Sequence, residues 1–160
     1  MATFAPASSG VLDASGLITM IISSAPNSMT HRRNCAQLAE HVNLVGNLLE
    51  KLKSTDLVTL PAVKEPLDGL EEVLKKALDL VESCQEKSCL YMLAIGWSAV
   101  YQFRQVHVEI DRSPKVVPLI SLVHEFRMQN LEALEAIEQD QREYTLDEEE
   151  VEAQSAILIH

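Results

Sequence analysis

Closely spaced carboxylates are the feature of this 160-residue sequence that most directly suggests chemistry. Between residues 138 and 149 the candidate metal ligands are Glu138, Asp140, Glu143, Asp147 and Glu149. Calcium takes about six to eight oxygen ligands, and neighbouring carboxylates can supply them. If a calcium loop began at Glu138, its first, third and twelfth positions would be Glu138, Asp140 and Glu149. The spacing therefore makes this segment a candidate calcium site.

Two positions of that loop depart from the calcium-binding pattern. The fifth position is Arg142, a cation where an oxygen ligand belongs, and the sixth is Glu143 rather than the glycine that allows a sharp turn. The alternative interpretation is a solvated acidic helix end. Weak, low-specificity binding of a divalent cation is expected under either interpretation.

A second candidate carboxylate, Asp13, precedes a stretch (14–30) that has no formal charge. No basic residue precedes this stretch, so a signal peptide is not expected, and its apolar run is short for a membrane span. We interpret it as a core helix. Asp13 is then either a first-turn aspartate stabilised by the helix dipole, or a carboxylate placed to meet a cation or join a ring in an oligomer.

Basic residues are sparse, but some occur in adjacent pairs. Such pairs usually solvate a helix surface, and they also attract anionic lipid headgroups by about 1 kcal/mol per residue. The candidate lipid-binding residues are Arg32, Arg33, Lys75 and Lys76.

Enzyme chemistry is not expected, because the sequence contains no nucleophile elbow, phosphate loop, dinucleotide fingerprint or zinc-protease motif. The five histidines are scattered without metal-ligand spacing: His31, His41, His107, His124 and His160. His41 and His124 lie within predicted helices, where we expect partly exposed polar residues rather than ligands. The three cysteines include no C-x-x-C pair, which argues against a disulfide framework or a structural zinc site. Cys35 lies on an apolar helical stripe and is expected in the core.

The net charge of −11 is unevenly distributed. Residues 132–152 contain ten acids and one base, whereas the rest of the chain is nearly neutral with 14 acids and 12 bases. Clustered Lys and Arg are needed for phosphate-backbone binding, so nucleic acid is not expected as a partner. A near-neutral body can still approach an anionic membrane.

Apolar residues recur at spacings of three and four, which predicts helices. The predicted segments are about 9–25, 30–53, 61–84, 88–112 and 114–139. The predicted core stripe of the second is Leu38, Val42, Val45, Leu49 and Leu52; that of the third includes Leu67, Leu70, Leu74, Ala77 and Val81; that of the fourth is Leu90, Leu93, Trp97, Val100 and Tyr101. Residues 140–152 look too polar to bury a face, and 153–159 resemble the start of another helix. The predicted fold class is all-α, an antiparallel four-helix bundle with an additional or extending N-terminal helix.

Four separated blocks resemble the plant MCA family: HRRNCAQLAEHVNLVGNLLEKLK (31–53), EPLDGLEEVLKKAL (65–78), YMLAIGWSAVYQFR (91–104) and DQREYTLDEEE (140–150). Members of that family are known as plasma-membrane, calcium-permeable mechanosensitive channel components. The resemblance covers about 12–150 and corresponds to their N-terminal functional domain. It implies a functionally required aspartate at Asp13 and an EF-hand-like region at 138–149. It also implies a coiled coil beyond this chain, which gives expected divisions of 1–8 (flexible), 9–139 (bundle) and 140–160 (acidic segment).

The function implied by this resemblance is a regulatory domain of such a channel protein, facing the cytoplasm at the plasma membrane. Its expected partners are weakly bound calcium, regulatory or permeant, membrane phospholipids, and further copies of itself in the full-length protein. Two alternatives remain open: a membrane-permeabilising bundle, since the domain is distantly similar to HeLo-type and MLKL-type bundles, and a plain oligomerisation or signalling scaffold.

Overall fold

A computed structural model describes residues 10–53, 61–85, 96–112, 128 and 130–159. These residues contain six α-helices and no strand, which confirms the all-α class. The helices are α1 (Gly10–Ser24), α2 (Arg32–Lys53), α3 (Pro61–Ser83), α4 (Trp97–Arg112), α5 (Leu131–Gln139) and α6 (Glu148–Ile159), with a 3-10 turn at Ala25–Asn27 after α1. The predicted N-terminal parts of the fourth and fifth helices, and the predicted flexible residues 1–8, lie outside the described residues. The antiparallel four-helix arrangement therefore stays a prediction.

The first helix is an integral part of the packed body. α1 packs against both α2 and α3, α3 packs against α4, and α2 packs against α4 and α5. Ala14, Ile18 and Ile21 of α1 are buried. None of the described helices combines the length and the apolarity that crossing a bilayer requires.

The predicted core stripes of α2 and α3 are confirmed. All five stripe residues named for α2, and all five named for α3, are buried in one hydrophobic core: Leu38, Val42, Val45, Leu49, Leu52, Leu67, Leu70, Leu74, Ala77 and Val81. Cys35 is also fully buried, as expected. Regular spacing of three and four keeps these side chains on one helix face, so periodicity alone locates them.

The stripe predicted for α4 is wrong at two positions. Trp97 is 53% exposed and Tyr101 is 61% exposed, whereas the buried face begins at Ala99 and Val100 and continues through Phe103 to Ile110. The Trp97 ring instead lies 5.7 Å from the Arg104 guanidinium, a cation–π contact at the surface.

The expectation that residues 140–152 bury no face is also wrong. Residues 140–147 form a segment without regular secondary structure, here called the strap, that returns across the bundle and buries Tyr144 and Leu146 in the core. Its polarity is misleading because its backbone and charged groups find partners on α2 and α4.

The last helix begins earlier than its apolar residues suggest. α6 starts at Glu148, where the Asp147 carbonyl accepts the first helical hydrogen bond from Val151 N–H. The Glu150 carboxylate accepts a bond from Asp147 N–H at 3.1 Å, which is one half of a capping box. Acids in the first turn also favour the positive end of the helix dipole.

Candidate functional site

A fully buried histidine, His41 of α2, lies at the centre of a polar cluster between three elements. Its Nδ1 lies 2.6 Å from Asp140 Oδ2 in the strap, and its Nε2 lies 2.7 Å from Asp111 Oδ1 in α4. Because both neighbours are carboxylates, which only accept hydrogen bonds, His41 donates from both ring nitrogens. In this arrangement it is an imidazolium held between two anions.

A second histidine stacks on the first. The His107 ring centroid lies 3.9 Å from that of His41, with an interplanar angle of 25°. His107 and Asp111 are four residues apart in α4 and therefore share a face, which places His107 Nε2 3.3 Å from Asp111 Oδ2. His107 Nδ1 lies 2.7 Å from the hydroxyl of Tyr144 in the strap. The two imidazoles thus share one carboxylate.

Two arginines fasten the strap beside this cluster. Arg142 donates to Asp140 at 2.8 Å and to Glu40 at 2.6 Å. Arg104 donates twice to the Tyr144 carbonyl, at 3.2 and 2.9 Å. The Tyr144 ring also stacks at 6.0 Å from Phe103, so the backbone and the side chain of Tyr144 both contact α4.

A second set of contacts fastens the end of the strap to the start of α2. Asn34 donates to the Thr145 carbonyl at 2.8 Å and accepts from Thr145 N–H at 3.1 Å. Arg33 N–H donates to Asp147 Oδ2 at 3.3 Å, so this carboxylate satisfies a free donor in the first turn of α2. His31 and Glu150, both fully or almost fully buried, lie 3.5 Å apart at the same end.

The pKa values in the cluster follow from burial and charge together. Burial favours neutral His41, but hydrogen bonds and charges from Asp111 and Asp140 outweigh it and raise the His41 pKa. Burial likewise opposes ionisation of Asp111, yet bonds from His107 and His41 hold its pKa below the usual value. At Asp140 the burial cost is outweighed first by Arg142 and then by His41, so its pKa is lowered as well. Burial also raises the pKa of Tyr144, which stays neutral.

The predicted calcium ligands do not converge on one point. Asp140 is engaged by His41 and Arg142, and Asp147 faces the start of α2. Glu138, Glu143 and Glu149 are exposed. Arg142, at the fifth loop position, pairs with Asp140 at 2.8 Å. The side chain of Asp13 lies outside the described part of the structure.

The predicted lipid-binding residues lie at two separate surfaces. Arg32 and Arg33 are exposed at the start of α2, and Arg32 lies 4.0 Å from Glu149. Lys75 and Lys76 are exposed on α3, where they pair with Glu71 at 3.7 Å and Glu109 at 3.3 Å. Exposed ion pairs of this kind are weak, so these cations remain able to exchange partners.

The histidine cluster was missed at the sequence level, and two expectations need correction. His41 is fully buried rather than partly exposed, and His41 and His107 come together although they are far apart in sequence. The available signal was the pair His107 and Asp111 at helical i,i+4 spacing. Nothing in the sequence shows that α2 supplies the second imidazole. His124 and His160 lie outside the described residues.

Among the described residues, His41, His107 and Asp111 form a group whose metal-ligand atoms all lie within 4.8 Å of one another. A cavity of about 370 Å³ adjoins the group, lined by His107, Val108, Asp111, Glu138, Asp140, Gln141 and Arg142. A second cavity, of about 270 Å³, lies at the start of α2 and is lined by residues 29–32 and 147–150.

Comparisons with known proteins agree over most of the chain. The family model described as the MCAfunc domain matches residues 17–160. Protein MID1-COMPLEMENTING ACTIVITY 1 and Protein MID1-COMPLEMENTING ACTIVITY 2, both from Arabidopsis thaliana, are 49% and 48% identical over 147 residues, or 92% of this chain. Cell number regulator 13 from Zea mays is 46% identical over the same length. The chain spans about a third of the length of these relatives, at 34%, 35% and 34% respectively. No solved structure matches.

Proposed function

Since this chain belongs to the family defined by the MCAfunc domain, we propose that it is the regulatory domain of a plasma-membrane, calcium-permeable mechanosensitive channel protein. The observation that carries the proposal is the family match over residues 17–160, together with relatives named for MID1-complementing activity at 48–49% identity. In this proposal the domain faces the cytoplasm, assembles with further copies in a longer protein, binds calcium weakly and contacts phospholipids.

Exposed acids around the strap support the calcium part of the proposal. Glu138, at the end of α5, lines the larger cavity together with Asp140 and Asp111. Such a group supplies the oxygen ligands that calcium prefers. Arg142 already occupies part of this surface, and its guanidinium competes with an incoming cation for Asp140. The affinity for calcium is therefore expected to be low.

Calorimetric titration of calcium tests this part directly. We expect Glu138→Gln to weaken binding, whereas Glu72→Gln, at an exposed position of α3, retains wild-type affinity. Equal calcium affinities for wild type and Glu138→Gln would show that the 370 Å³ cavity lined by Glu138 is not the calcium site. No heat of binding in the wild type would remove calcium binding by this domain altogether.

The phospholipid part rests on the exposed cations of α2 and α3. Co-sedimentation with anionic vesicles should weaken when Arg32 and Arg33 are both changed to Gln, or when Lys75 and Lys76 are. Lys64→Gln, an exposed control on α3, should bind as the wild type does. Release of a trapped dye on binding would instead favour the membrane-permeabilising alternative, and absence of binding would favour a plain scaffold.

The channel part requires the longer protein that contains this domain. Calcium influx on hypo-osmotic stretch should fall in Asp13→Asn and persist in Asp68→Asn, an exposed α3 control. Unchanged influx in Asp13→Asn would show that this carboxylate neither attracts nor conducts calcium.

A further inference from the structure

We propose that His41, His107 and Asp111 form a binding site for a divalent transition-metal ion of the zinc class, with Asp140 beside it. This inference does not rest on the proposed function, because its distinguishing ligands are the nitrogens of His41 and His107, although Asp111 and Asp140 also line the cavity proposed for calcium. It rests on the convergence of two imidazoles and one carboxylate, on the hydrogen bonds behind the imidazoles, and on the adjoining cavity.

Both imidazoles present the same atom to the same carboxylate. His41 Nε2 lies 2.7 Å from Asp111 Oδ1, and His107 Nε2 lies 3.3 Å from Asp111 Oδ2. In a tetrahedral zinc site with bonds of about 2.0–2.2 Å, neighbouring ligand atoms are roughly 3.3 Å apart. The two measured separations involve different oxygens of Asp111. With one ligand atom taken from each residue, the three atoms lie within 4.8 Å of one another, so they must draw closer by up to about 1.5 Å when the ion binds.

The opposite nitrogen of each ring has its own hydrogen-bond partner. Nδ1 of His41 meets Asp140 at 2.6 Å, and Nδ1 of His107 meets the Tyr144 hydroxyl at 2.7 Å. Metal-binding histidines commonly have such a partner on the second nitrogen, since it fixes the ring orientation and strengthens the ligand. Here both partners come from the strap, which therefore positions both rings.

The donor set selects the class of ion. Two imidazole nitrogens and one carboxylate oxygen suit zinc and its neighbours, whereas calcium and magnesium prefer oxygen alone. When the ion binds, His41 Nε2 releases its proton to solvent, and the proton that His107 Nε2 donates to Asp111 must leave that nitrogen as well, so that both nitrogens offer a lone pair. Because a metal lies in the plane of each ligating ring, binding also opens the stacked arrangement of the two imidazoles.

The cavity beside the cluster gives access. His107, Asp111 and Asp140 line its wall, and Asp111 remains 24% exposed. A water molecule can therefore approach from this side as the fourth ligand. Such a site has three protein ligands from α2 and α4 and is closed by the strap.

Zinc titration of the chelator-treated chain, by calorimetry, tests the proposal. We expect one Zn²⁺ per chain, with affinity reduced at least tenfold in His107→Gln and in Asp111→Asn. Tyr144→Phe keeps the ring that stacks on Phe103 and removes only the hydroxyl, so it should fold normally and weaken zinc by about tenfold. Glu72→Gln is the control, because Glu72 is exposed on α3 and lies outside the cluster.

Co²⁺ gives a measurement that needs no variant. Bound by two imidazoles and a carboxylate, it should show the visible absorption of a low-symmetry, four-coordinate site, and an equimolar amount of Zn²⁺ should abolish that absorption. An equimolar amount of Ca²⁺, which prefers oxygen ligands alone, should leave it unchanged. The proposal is overturned if the wild type binds no stoichiometric zinc. It is equally overturned if Tyr144→Phe, His107→Gln and Asp111→Asn, folded by circular dichroism, all retain wild-type affinity.

Discussion

His41 and Asp140 lie 2.6 Å apart, nitrogen to oxygen, although 99 residues separate them in sequence. The contact joins the middle of α2 to the first residue of the strap. It is one of several bonds by which an acidic segment is held against a helical core. Most of the measurable consequences of this structure follow from that attachment.

Replacing the buried histidine should destabilise the fold. We expect His41→Gln to lower the free energy of unfolding by about 2 kcal/mol, because two hydrogen bonds to charged partners are lost or weakened. Urea denaturation measures the change. Asn47→Ala, an exposed position on the same helix, should remain within about 0.5 kcal/mol of wild type. An equal loss in both variants would contradict a specific role for His41.

Stability should also depend on pH in a defined direction. The raised pKa of His41 means that its contribution is complete below the unfolded-state value near 6.5 and is lost as pH rises through its folded value. The lowered pKa values of Asp111 and Asp140 mean that their contributions are complete above about 3.8 and are lost as pH falls through their folded values.

The contribution of this cluster to the free energy of unfolding should therefore be greatest between about pH 4 and 6.5. It is measured with a chelator present. His41→Gln should flatten the decline on the alkaline side. A wild-type profile that keeps rising above pH 7 by an amount unaffected by His41→Gln would contradict the assignment.

Asn34 should control attachment of the strap. Its side chain makes both bonds to the backbone of Thr145, so Asn34→Ala should cost about 1–3 kcal/mol and speed amide hydrogen exchange in residues 140–150. Thr145→Ala is a sharp control, since backbone atoms make those bonds and the variant keeps them. If amide exchange in residues 140–150 were faster in Thr145→Ala but unchanged in Asn34→Ala, the Asn34 side chain would not be what holds the strap.

Two glycines should respond differently to alanine. At Gly16, exposed in α1, an added Cβ meets nothing within 4 Å, so Gly16→Ala should stabilise the protein by about 0.5–1 kcal/mol. At Gly46 in α2 the new Cβ would lie 3.2 Å from Ile18, where the two helices approach closely. Thermal denaturation should show a smaller gain, or a loss, for Gly46→Ala. A larger gain there would mean that Ile18 moves aside freely.

Most of the fold prediction came from helical periodicity. It identified buried residues correctly where a helix packs one continuous apolar face against the core. α2 and α3 each show a continuous apolar stripe, and every stripe residue checked is buried. The α4 stripe was wrong at Trp97 and Tyr101 because both side chains are apolar but lie at the surface. Trp97 contacts Arg104 there, and Tyr101 is exposed to solvent.

The candidate site was less accessible to sequence reasoning. Spacing could relate His107 to Asp111, and it could recognise Asp147 and Glu150 as a capping box at the start of α6. It could not relate either pair to α2, because that depends on how the strap returns over the bundle. Asp140 looks like an available metal ligand in the sequence, but in the structure its carboxylate already pairs with Arg142 and His41.

The strap has a consequence for the newly synthesised chain. Its bonds to α2 connect residues that are 99, 106 and 111 positions apart. His41 and Asn34 therefore emerge from the ribosome long before their partners exist, and they must wait, hydrated and unpaired, until about residue 150 has been added. We therefore expect closure of the strap to be a late step in the folding of this domain. Premature termination before residue 140 should leave a helical intermediate with a polar cluster open to water.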